Sequence, residues 1–291
     1  MTIAWAMDCF ERGLISTADT GGIELKFGNA QAMVQLVEQM GQREGFGRLL
    51  SEGSRRAARL IGRGTEALTV QVKGQEVPMH EPRVKYALGI GYAVSPTGAD
   101  HNHNIHDSDY TTPEAIEPLK PFGITHPLLV TDLSQEKMRL AAVEIPWSVV
   151  MNMMGFCGFV FFTYDRPRLA ALIQAATGWD VTLQELLRAG ERAYTLARIF
   201  NLREGLTSED DRLPAVFHQP FPTGPAAGNF LPPDAVEAAR EMFYELLGWD
   251  PKSGIPSQAR LQRLGIEWAA RYLPVASTNQ DGAQAADPGR L

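Results

Sequence analysis

Apolar residues recur at helical spacing through most of this sequence, and this pattern constrains the fold more than any other feature. Asn29 is a predicted N-cap, and a second helix is predicted over about residues 48–61. The best strand candidate is the short alternating run at residues 68–72. Strands do not alternate with helices, which argues against a Rossmann or barrel fold. We therefore predict a mainly α, multihelical fold with little β structure and two helical lobes that meet near residues 72–80.

Local signals predict where several later helices begin and end. Thr182 and Glu185 have the spacing of a capping box, and Asp234 and Glu237 repeat that spacing. Pro146 is predicted to end or kink the helix that precedes it, because proline lacks the backbone N–H that a helix interior uses.

The chain is predicted to comprise two domains and a tail. Residues 1–72 form the first helical domain, and residues 73–274 form a helical C-terminal domain that carries the histidine and cysteine motifs. Residues 275–291 have a disordered composition. Residues 78–128 are rich in Pro, Gly, Asn and Asp and hold five of the six histidines. So long an irregular stretch in a compact protein usually carries function.

Composition excludes several classes of protein. The 291 residues carry a net charge of −7 with no basic stripe, which argues against nucleic-acid binding. No apolar run approaches the roughly 20 residues that span a bilayer, so no membrane segment is predicted. Two cysteines cannot form a secreted disulfide framework. A cytoplasmic protein is the simplest expectation.

Three histidines, His101, His103 and His106, lie within six residues of the irregular stretch, beside Asp and Asn side chains. Imidazoles titrate near neutral pH and also bind metals, so the cluster could transfer protons or hold zinc in a hydrolase. It could equally be a polar loop whose histidines are only solvated. The residues alone leave these three readings open.

Cys157 lies in residues 147–164, which are apolar almost throughout and predict a fully buried element. A lone cysteine in such a run is usually an inert buried thiol. The flanking Gly155 and Gly158 would instead let the backbone approach something bulky. Ligation of a [4Fe–4S] cluster normally takes four thiolates. Cys9, the other cysteine, lies in a helix pattern with no motif of its own, so the chain cannot build such a cluster unaided.

Arg83 follows Glu81 and Pro82 at the start of the irregular stretch. Its planar guanidinium could bind an anion, because it offers five donors in a fixed fork. A structural salt bridge is an equally good reading, and the sequence does not choose between them.

Several short motifs in a fixed order resemble the C-terminal half of the tungsten-dependent aldehyde ferredoxin oxidoreductases. The resemblance extends from about Ile3 to Ala270. Each motif alone is weak, and their order and spacing make the match specific. They lie at residues 6–13 (AMDCFERG), 28–29 (GN), 43–47 (REGFG), 50–53 (LSEG), 81–83 (EPR), 89–93 (GIGYA), 98–101 (GADH) and 177–180 (TGWD).

This resemblance implies an activity and a set of cofactors. In the family, tungsten, or molybdenum in its place, is held by the dithiolenes of two pterin cofactors, and an aldehyde gains an oxygen from water to become a carboxylic acid. Electrons pass through a neighbouring [4Fe–4S] cluster to ferredoxin or another electron-transfer protein.

The resemblance also implies roles for five residues. His101 matches the family histidine beside the metal, which is proposed to donate a hydrogen bond or a proton to the substrate carbonyl oxygen. Asn152, Gly155 and Phe156 match the loop that binds one pterin. Cys157 matches the last cluster ligand. His101 and Cys157 are therefore expected to converge on a single redox pocket.

Two departures from the family pattern qualify these expectations. The position of Asn152 is usually Asp, and an amide offers the pterin a donor in place of one acceptor. The family's N-terminal domain, first pterin motif and other three cluster cysteines have no counterpart in this sequence. We therefore expect that the chain alone binds neither the tungsten cofactor nor an intact cluster.

Such a chain would be a truncated product, or one part of a split enzyme completed by a separate N-terminal chain. An apolar surface left open around Met153, Met154 and Phe156 would favour association, so a homo-oligomer is also expected. The alternative function is a non-catalytic remnant or partner-binding subunit with the same helical fold.

Overall fold

The protein is mainly helical in the computed structural model, which describes residues 1–162 and 164–274, and the predicted fold class is confirmed. The predicted disordered tail, residues 275–291, lies outside the described residues. The α-helices are α1 (Thr2–Glu11), α2 (Ala30–Gln42), α3 (Gly45–Leu50), α4 (Ser54–Ile61), α5 (Tyr86–Val94), α6 (Pro113–Ile116), α7 (Gln135–Met153), α8 (Arg166–Thr177), α9 (Leu183–Arg203), α10 (Pro233–Leu246) and α11 (Gln258–Leu264). Among the described helices, none is both long enough and apolar enough to cross a bilayer.

Short 3₁₀ turns connect many of these helices. They lie at Thr65–Leu68, Pro82–Val84, Asp107–Tyr110, Glu117–Phe122, Gly158–Phe162, Ser208–Asp210, Ala215–His218 and Glu267–Tyr272. Of the strand predicted at residues 68–72, only the end is a strand. The rest of that run lies in the first 3₁₀ turn and the link after it.

The sheet within the described residues is one short hairpin, β1 (Gln71–Val72) and β2 (Gln75–Glu76), paired antiparallel. Lys73 and Gly74 make its turn, both with positive φ (51° and 93°), as tight hairpin turns require. The Lys73 ammonium is buried and lies 2.6 Å from Asp211. Arg198 lies 2.7 Å from the other oxygen of the same carboxylate. These buried charges fix the hairpin to the C-terminal part of the chain.

Within the described residues, apolar side chains are buried in four clusters. One cluster belongs to α1–α4 and the loops between them, and a larger one is built around α5, α7 and α10. Two smaller clusters lie between α7, α8 and α9 and between α9 and α11. The domain boundary near residue 72 stays a prediction.

Two of the three predicted helix caps are confirmed. The Asn29 side chain accepts a hydrogen bond from the backbone of α2, and Thr182 and Glu185 form the predicted capping box of α9. The second capping box is wrong. Helix α10 begins at Pro233, and Glu237 pairs with Arg240 instead.

One predicted helix boundary is also wrong, and one of the two alternatives for Pro146, the end of its helix, is contradicted. The single helix predicted over about residues 48–61 is two helices, α3 and α4, separated at Gly53, where φ is +84°. Pro146 does not end its helix, because α7 continues to Met153. Helix α7 packs against α5, α9 and α10, and these contacts outweigh the one backbone N–H that proline lacks.

A buried carboxylate ties α5 to α7. Asp107 is fully buried and accepts hydrogen bonds from the backbone N–H groups of Ala87 (3.3 Å) and Leu88 (3.0 Å), in the first turn of α5. The Lys137 ammonium in α7, also fully buried, donates to the same carboxylate at 2.9 Å. Burial raises the pKa of Asp107, against the opposing effect of Lys137. The carboxylate thus satisfies helix-terminal amides and a buried cation together.

Replacing Asp107 by Asn should destabilise the fold by about 3–5 kcal/mol, because the Lys137 ammonium stays buried without a counter-charge. Urea unfolding measures the loss. The matched control is Asp109→Asn, at an exposed carboxylate in the same 3₁₀ turn, which should change the unfolding free energy by less than about 0.5 kcal/mol.

The double variant Asp107→Asn/Lys137→Met separates charge from packing. It removes the unpaired cation, so it should recover part of the stability that Asp107→Asn loses. A double variant as unstable as the sum of its single variants would contradict a coupled pair.

Candidate functional site

The histidine loop, residues 98–107, is docked on α5 at two points. Asp107 holds its end, as described above, and Asn104 holds its middle. The Asn104 side chain donates to the carbonyl oxygen of Leu88 (3.1 Å) and accepts from the N–H of Ile105 (2.8 Å). A Cβ at Gly91 would lie 1.7 Å from the Asn104 Oδ1, so only glycine leaves room for this contact. The loop is therefore held rigidly although it has no regular structure.

Two loop histidines form a cluster with a third from elsewhere. The ring of His101 stacks on that of His80, with centroids 4.8 Å apart, and the ring of His106 lies edge-on to His80 at 5.0 Å. Sequence reasoning did not single out His80. His80 lies directly before the motif at residues 81–83 and outside the histidine loop. Only the fold brings its ring against that of His101.

The third loop histidine, His103, faces elsewhere. Its Nδ1 lies 2.7 Å from the Asp100 carboxylate. The zinc reading required His101, His103 and His106 to converge, and the structure instead separates His103 from the other two. Within residues 1–162 and 164–274, no three His, Cys, Asp or Glu side chains are grouped so that they could hold a metal ion.

His103 connects the histidine loop to the end of α7. Its hydrogen bond to Asp100 is the main cause of a raised pKa; burial opposes the shift, and a hydrogen bond with the Asn152 side chain adds to it. The same pair lowers the pKa of Asp100. Asp100 and Asn152 thus both favour the charged form of His103, which lies between the loop and the end of α7.

The thiol turn, residues 152–158, follows directly. The backbone N–H of Gly155 donates to Asn152 and that of Phe156 donates to Met151, both at 3.0 Å, while Gly155 takes a φ of +71°. Cys157 is exposed at the end of this turn. No described atom would lie within 4 Å of a Cβ at Gly158, so space is open beside the thiol.

The prediction that residues 147–164 are fully buried is therefore wrong for residues 152–160 and for Tyr164, and the side chains of residues 161–163 lie outside the described part of the structure. Met153 is 54% exposed and Phe159 is 76% exposed. The start of the run is buried as predicted, at Trp147, Val150 and Met151. The apolar pattern identifies side chains suited to burial, but the described residues leave Met153 and Phe159 exposed.

The two cysteines differ sharply. Cys9 is fully buried in α1, and burial raises the pKa of its thiol to about 11, which disfavours the thiolate that a metal requires. Cys157 is the thiol at the surface. The described residues thus fit one ligand position of a [4Fe–4S] cluster, and a four-thiolate set does not fit this chain alone.

Arg83 forms the structural salt bridge that the sequence left as one of two interpretations. It is 8% exposed and pairs with Glu81 at 3.0 Å. Its guanidinium also donates to the carbonyl oxygen of Gln219 (3.1 Å) and lies 3.6 Å from the centroid of the Phe221 ring. These contacts hold the proline-rich segment around residue 220 against the start of α5, and they occupy the guanidinium that an anion would need.

Comparison with known proteins gives a consistent result. The family model for aldehyde ferredoxin oxidoreductase, domains 2 and 3, matches residues 1–266. Tungsten-containing aldehyde ferredoxin oxidoreductases of Pyrococcus horikoshii and Pyrococcus abyssi are 33% and 32% identical to the chain over 271 residues, which is 91% of this chain and 42% of each relative. The chain therefore spans less than half the length of these curated relatives.

More distant similarities extend the comparison. The aliphatic sulfonate oxidoreductase, WOR-like subunit, of Pyrococcus furiosus is 30% identical over 284 residues, covering 92% of this chain and 40% of that protein. Among solved structures, the active-site complex BamBC of benzoyl coenzyme A reductase with 1,5-dienoyl-CoA matches with a TM-score of 0.63 at 20% identity. That match covers 93% of this chain and 44% of the other, and at this identity it shows a shared fold alone.

The His103–Asp100 pair predicts a pH-dependent contribution to stability. The folded-state pKa of His103 lies above its usual 6.5, so this contribution is complete below pH 6.5 and is lost as the pH rises through the folded pKa. Asp100→Asn should lower the NMR titration midpoint of the His103 ring. It should also cost about 1.5–3 kcal/mol near pH 5.5 and less at pH 8.5, by urea unfolding.

The variant His103→Gln is the control, since it removes the titrating group and should flatten this part of the pH dependence. If Asp100→Asn lowers the unfolding free energy equally at both pH values, the His103 charge plays no part. Asp100 would then act through its backbone hydrogen bonds alone.

Proposed function

The chain belongs to the aldehyde ferredoxin oxidoreductase family, and we propose that it forms one part of an enzyme that oxidises an aldehyde to a carboxylic acid. The family model covers nearly the whole chain, and the curated relatives are oxidoreductases. In the proposed reaction the aldehyde and one water give a carboxylate, three protons and two electrons. The electrons pass one at a time to an iron–sulfur protein such as ferredoxin.

The contact between His103 and Asn152 supports this proposal most directly. It joins the histidine loop, which carries His101, to the thiol turn, which carries Cys157. The two segments are about fifty residues apart along the chain. A redox enzyme needs its proton donor and its electron exit close to one substrate, and this contact brings the two segments together.

Each segment has a proposed task. His101 would donate a hydrogen bond or a proton to the substrate carbonyl oxygen, which an imidazole does well near neutral pH. Asn152, Gly155 and Phe156 would contact one pterin. When bound, a tungsten or molybdenum bis-pterin centre supplies two-electron redox chemistry at the substrate carbon. Cys157 would be one ligand of a neighbouring [4Fe–4S] cluster.

Completion by other polypeptide segments is part of the proposal. Three more cluster thiolates are needed, and the relatives extend well beyond the matched 42% of their length. A complementary N-terminal chain would supply those ligands and cover the exposed thiol turn. Homo-oligomerisation and a cytoplasmic setting remain proposals of the same kind. A remnant or partner-binding subunit without chemistry is the competing function.

Reconstitution with the N-terminal part of a relative tests the cluster assignment. Cys157→Ser should lower the bound iron and bleach the visible absorption of the reconstituted protein. Cys9→Ala is the matched control and should leave both unchanged, because Cys9 is buried with a raised pKa. Iron analysis and the absorption spectrum are the measurements. Full iron content in Cys157→Ser would remove this ligand assignment.

His101→Gln tests the proton donor in the same preparation. Aldehyde turnover should fall by about 10²–10⁴-fold, the usual worth of a general acid or base, with tungsten and iron contents unchanged. His126→Gln is the control and should keep the wild-type rate, because His126 is exposed and lies outside the group of loop histidines. If the reconstituted wild-type protein takes up both metals and oxidises no aldehyde, the competing function, a non-catalytic subunit, is favoured.

A further inference from the structure

Three imidazoles from two separate segments lie in mutual contact. His80 follows the β1–β2 hairpin, whereas His101 and His106 belong to the histidine loop. Their ring centroids are 4.8 Å apart for His80 and His101, 5.0 Å for His80 and His106, and 6.2 Å for His101 and His106. His80 lies between the other two rings, stacked on one at 30° and edge-on to the other at 74°. These three residues are called the imidazole cluster.

The tautomer of His106 follows from its hydrogen bond. Its Nε2 lies 3.0 Å from the backbone carbonyl oxygen of His101. A carbonyl only accepts, so Nε2 must carry a proton. The neutral ring therefore leaves Nδ1 without a proton, and Nδ1 is the atom that can take one up and release it. The same bond ties the ring of His106 to the backbone at His101.

Surrounding charges keep protons from accumulating in the cluster. Burial, the other two imidazoles and Lys85 all lower the pKa of His80. Burial also lowers the pKa of His106, as do Lys85 and His101, while Asp109 and the hydrogen bond to the His101 carbonyl oppose the shift. Two of the three rings are thus neutral bases at neutral pH, next to the residue proposed to exchange a proton with substrate.

Solvent is close to one side of the cluster. Met79, the residue before His80, is 95% exposed. His80 is itself only partly buried, whereas Asn104 and Ile105 on the other side are buried. A proton on His80 therefore has a short way to water.

We propose that His80 is a positioning residue for His101, and that the imidazole cluster carries protons from the substrate to water. This inference rests on the proposed aldehyde oxidation. That reaction releases three protons with two electrons for each aldehyde and water consumed, the electrons leaving to the iron–sulfur acceptor. A neutral imidazole accepts a released proton and passes it to water, so the cluster returns to its starting state.

The first test needs no cofactor. In the 291-residue chain, His106→Gln should move the NMR titration midpoint of the His80 ring upward, because a neighbouring like charge is removed. His126→Gln is the control and should leave this midpoint in place. An unchanged His80 midpoint in His106→Gln would overturn the cluster.

The second test uses the reconstituted enzyme. His80→Gln and His80→Phe should lower kcat by about tenfold, less than loss of the acid itself, with little change in KM. They should also shift the acid limb of the pH–rate profile. His80→Phe keeps a ring to stack on His101 but cannot carry a proton, so it should shift the acid limb as His80→Gln does. A purely structural role would lower activity equally at every pH, and that result would overturn the proposal.

The two proposals fail in different ways. A reconstituted wild-type protein that oxidises no aldehyde would remove the proposed function, and the proton-carrying role with it. If both His80 variants keep the wild-type rate and the wild-type pH profile, the role of the imidazole cluster is overturned. The proposed function still stands in that case.

Discussion

The position of the histidine loop depends on one buried carboxylate. Asp107 has no access to water, so its charge must be met inside the protein, and Lys137 together with the first amides of α5 does this. Near the other end of α7, His103 meets Asn152. Lys137 and Asn152 are fifteen residues apart, a distance of about 22 Å along a helix. These two contacts tie the histidine loop to both ends of α7.

The surroundings shift the pKa values of these histidines in opposite directions. Hydrogen bonds with Asp100 and Asn152 raise the pKa of His103, whereas burial and neighbouring imidazoles lower the pKa of His106 in the loop and of His80 outside it. Stability responds in opposite directions. The His103 contribution is lost as the pH rises above its folded pKa, and the neutral rings oppose folding increasingly as the pH falls below 6.5. Surroundings that move the pKa values of neighbouring titrating groups in opposite directions are common in sites where these groups have different tasks.

Sequence succeeded where structure is decided locally and failed where distant contacts decide it. The caps at Asn29 and Thr182 depend on neighbouring residues, and both are present. That α7 continues past Pro146 could not be predicted, because packing against α5, α9 and α10 is not visible in its own segment. The motifs predicted the family, which the comparisons confirm, while the role of His101 stays a prediction. His80 was missed because its importance lies in a ring twenty-one residues away, and no spacing rule connects them.

The exposed thiol turn is where sequence and structure disagree most usefully. Apolar periodicity predicts burial for the whole of residues 147–164, yet Met153 and Cys157 are exposed. The apolar side chains of this turn are suited to the complete assembly. Their exposed fractions, in contrast, are those of one chain by itself. Apolar surface beside an open glycine and a single thiol is costly to leave in water. The proposed complementary chain would account for this mismatch. A covering segment that brings three thiolates would satisfy both the apolar surface of the turn and the ligand count of a cluster.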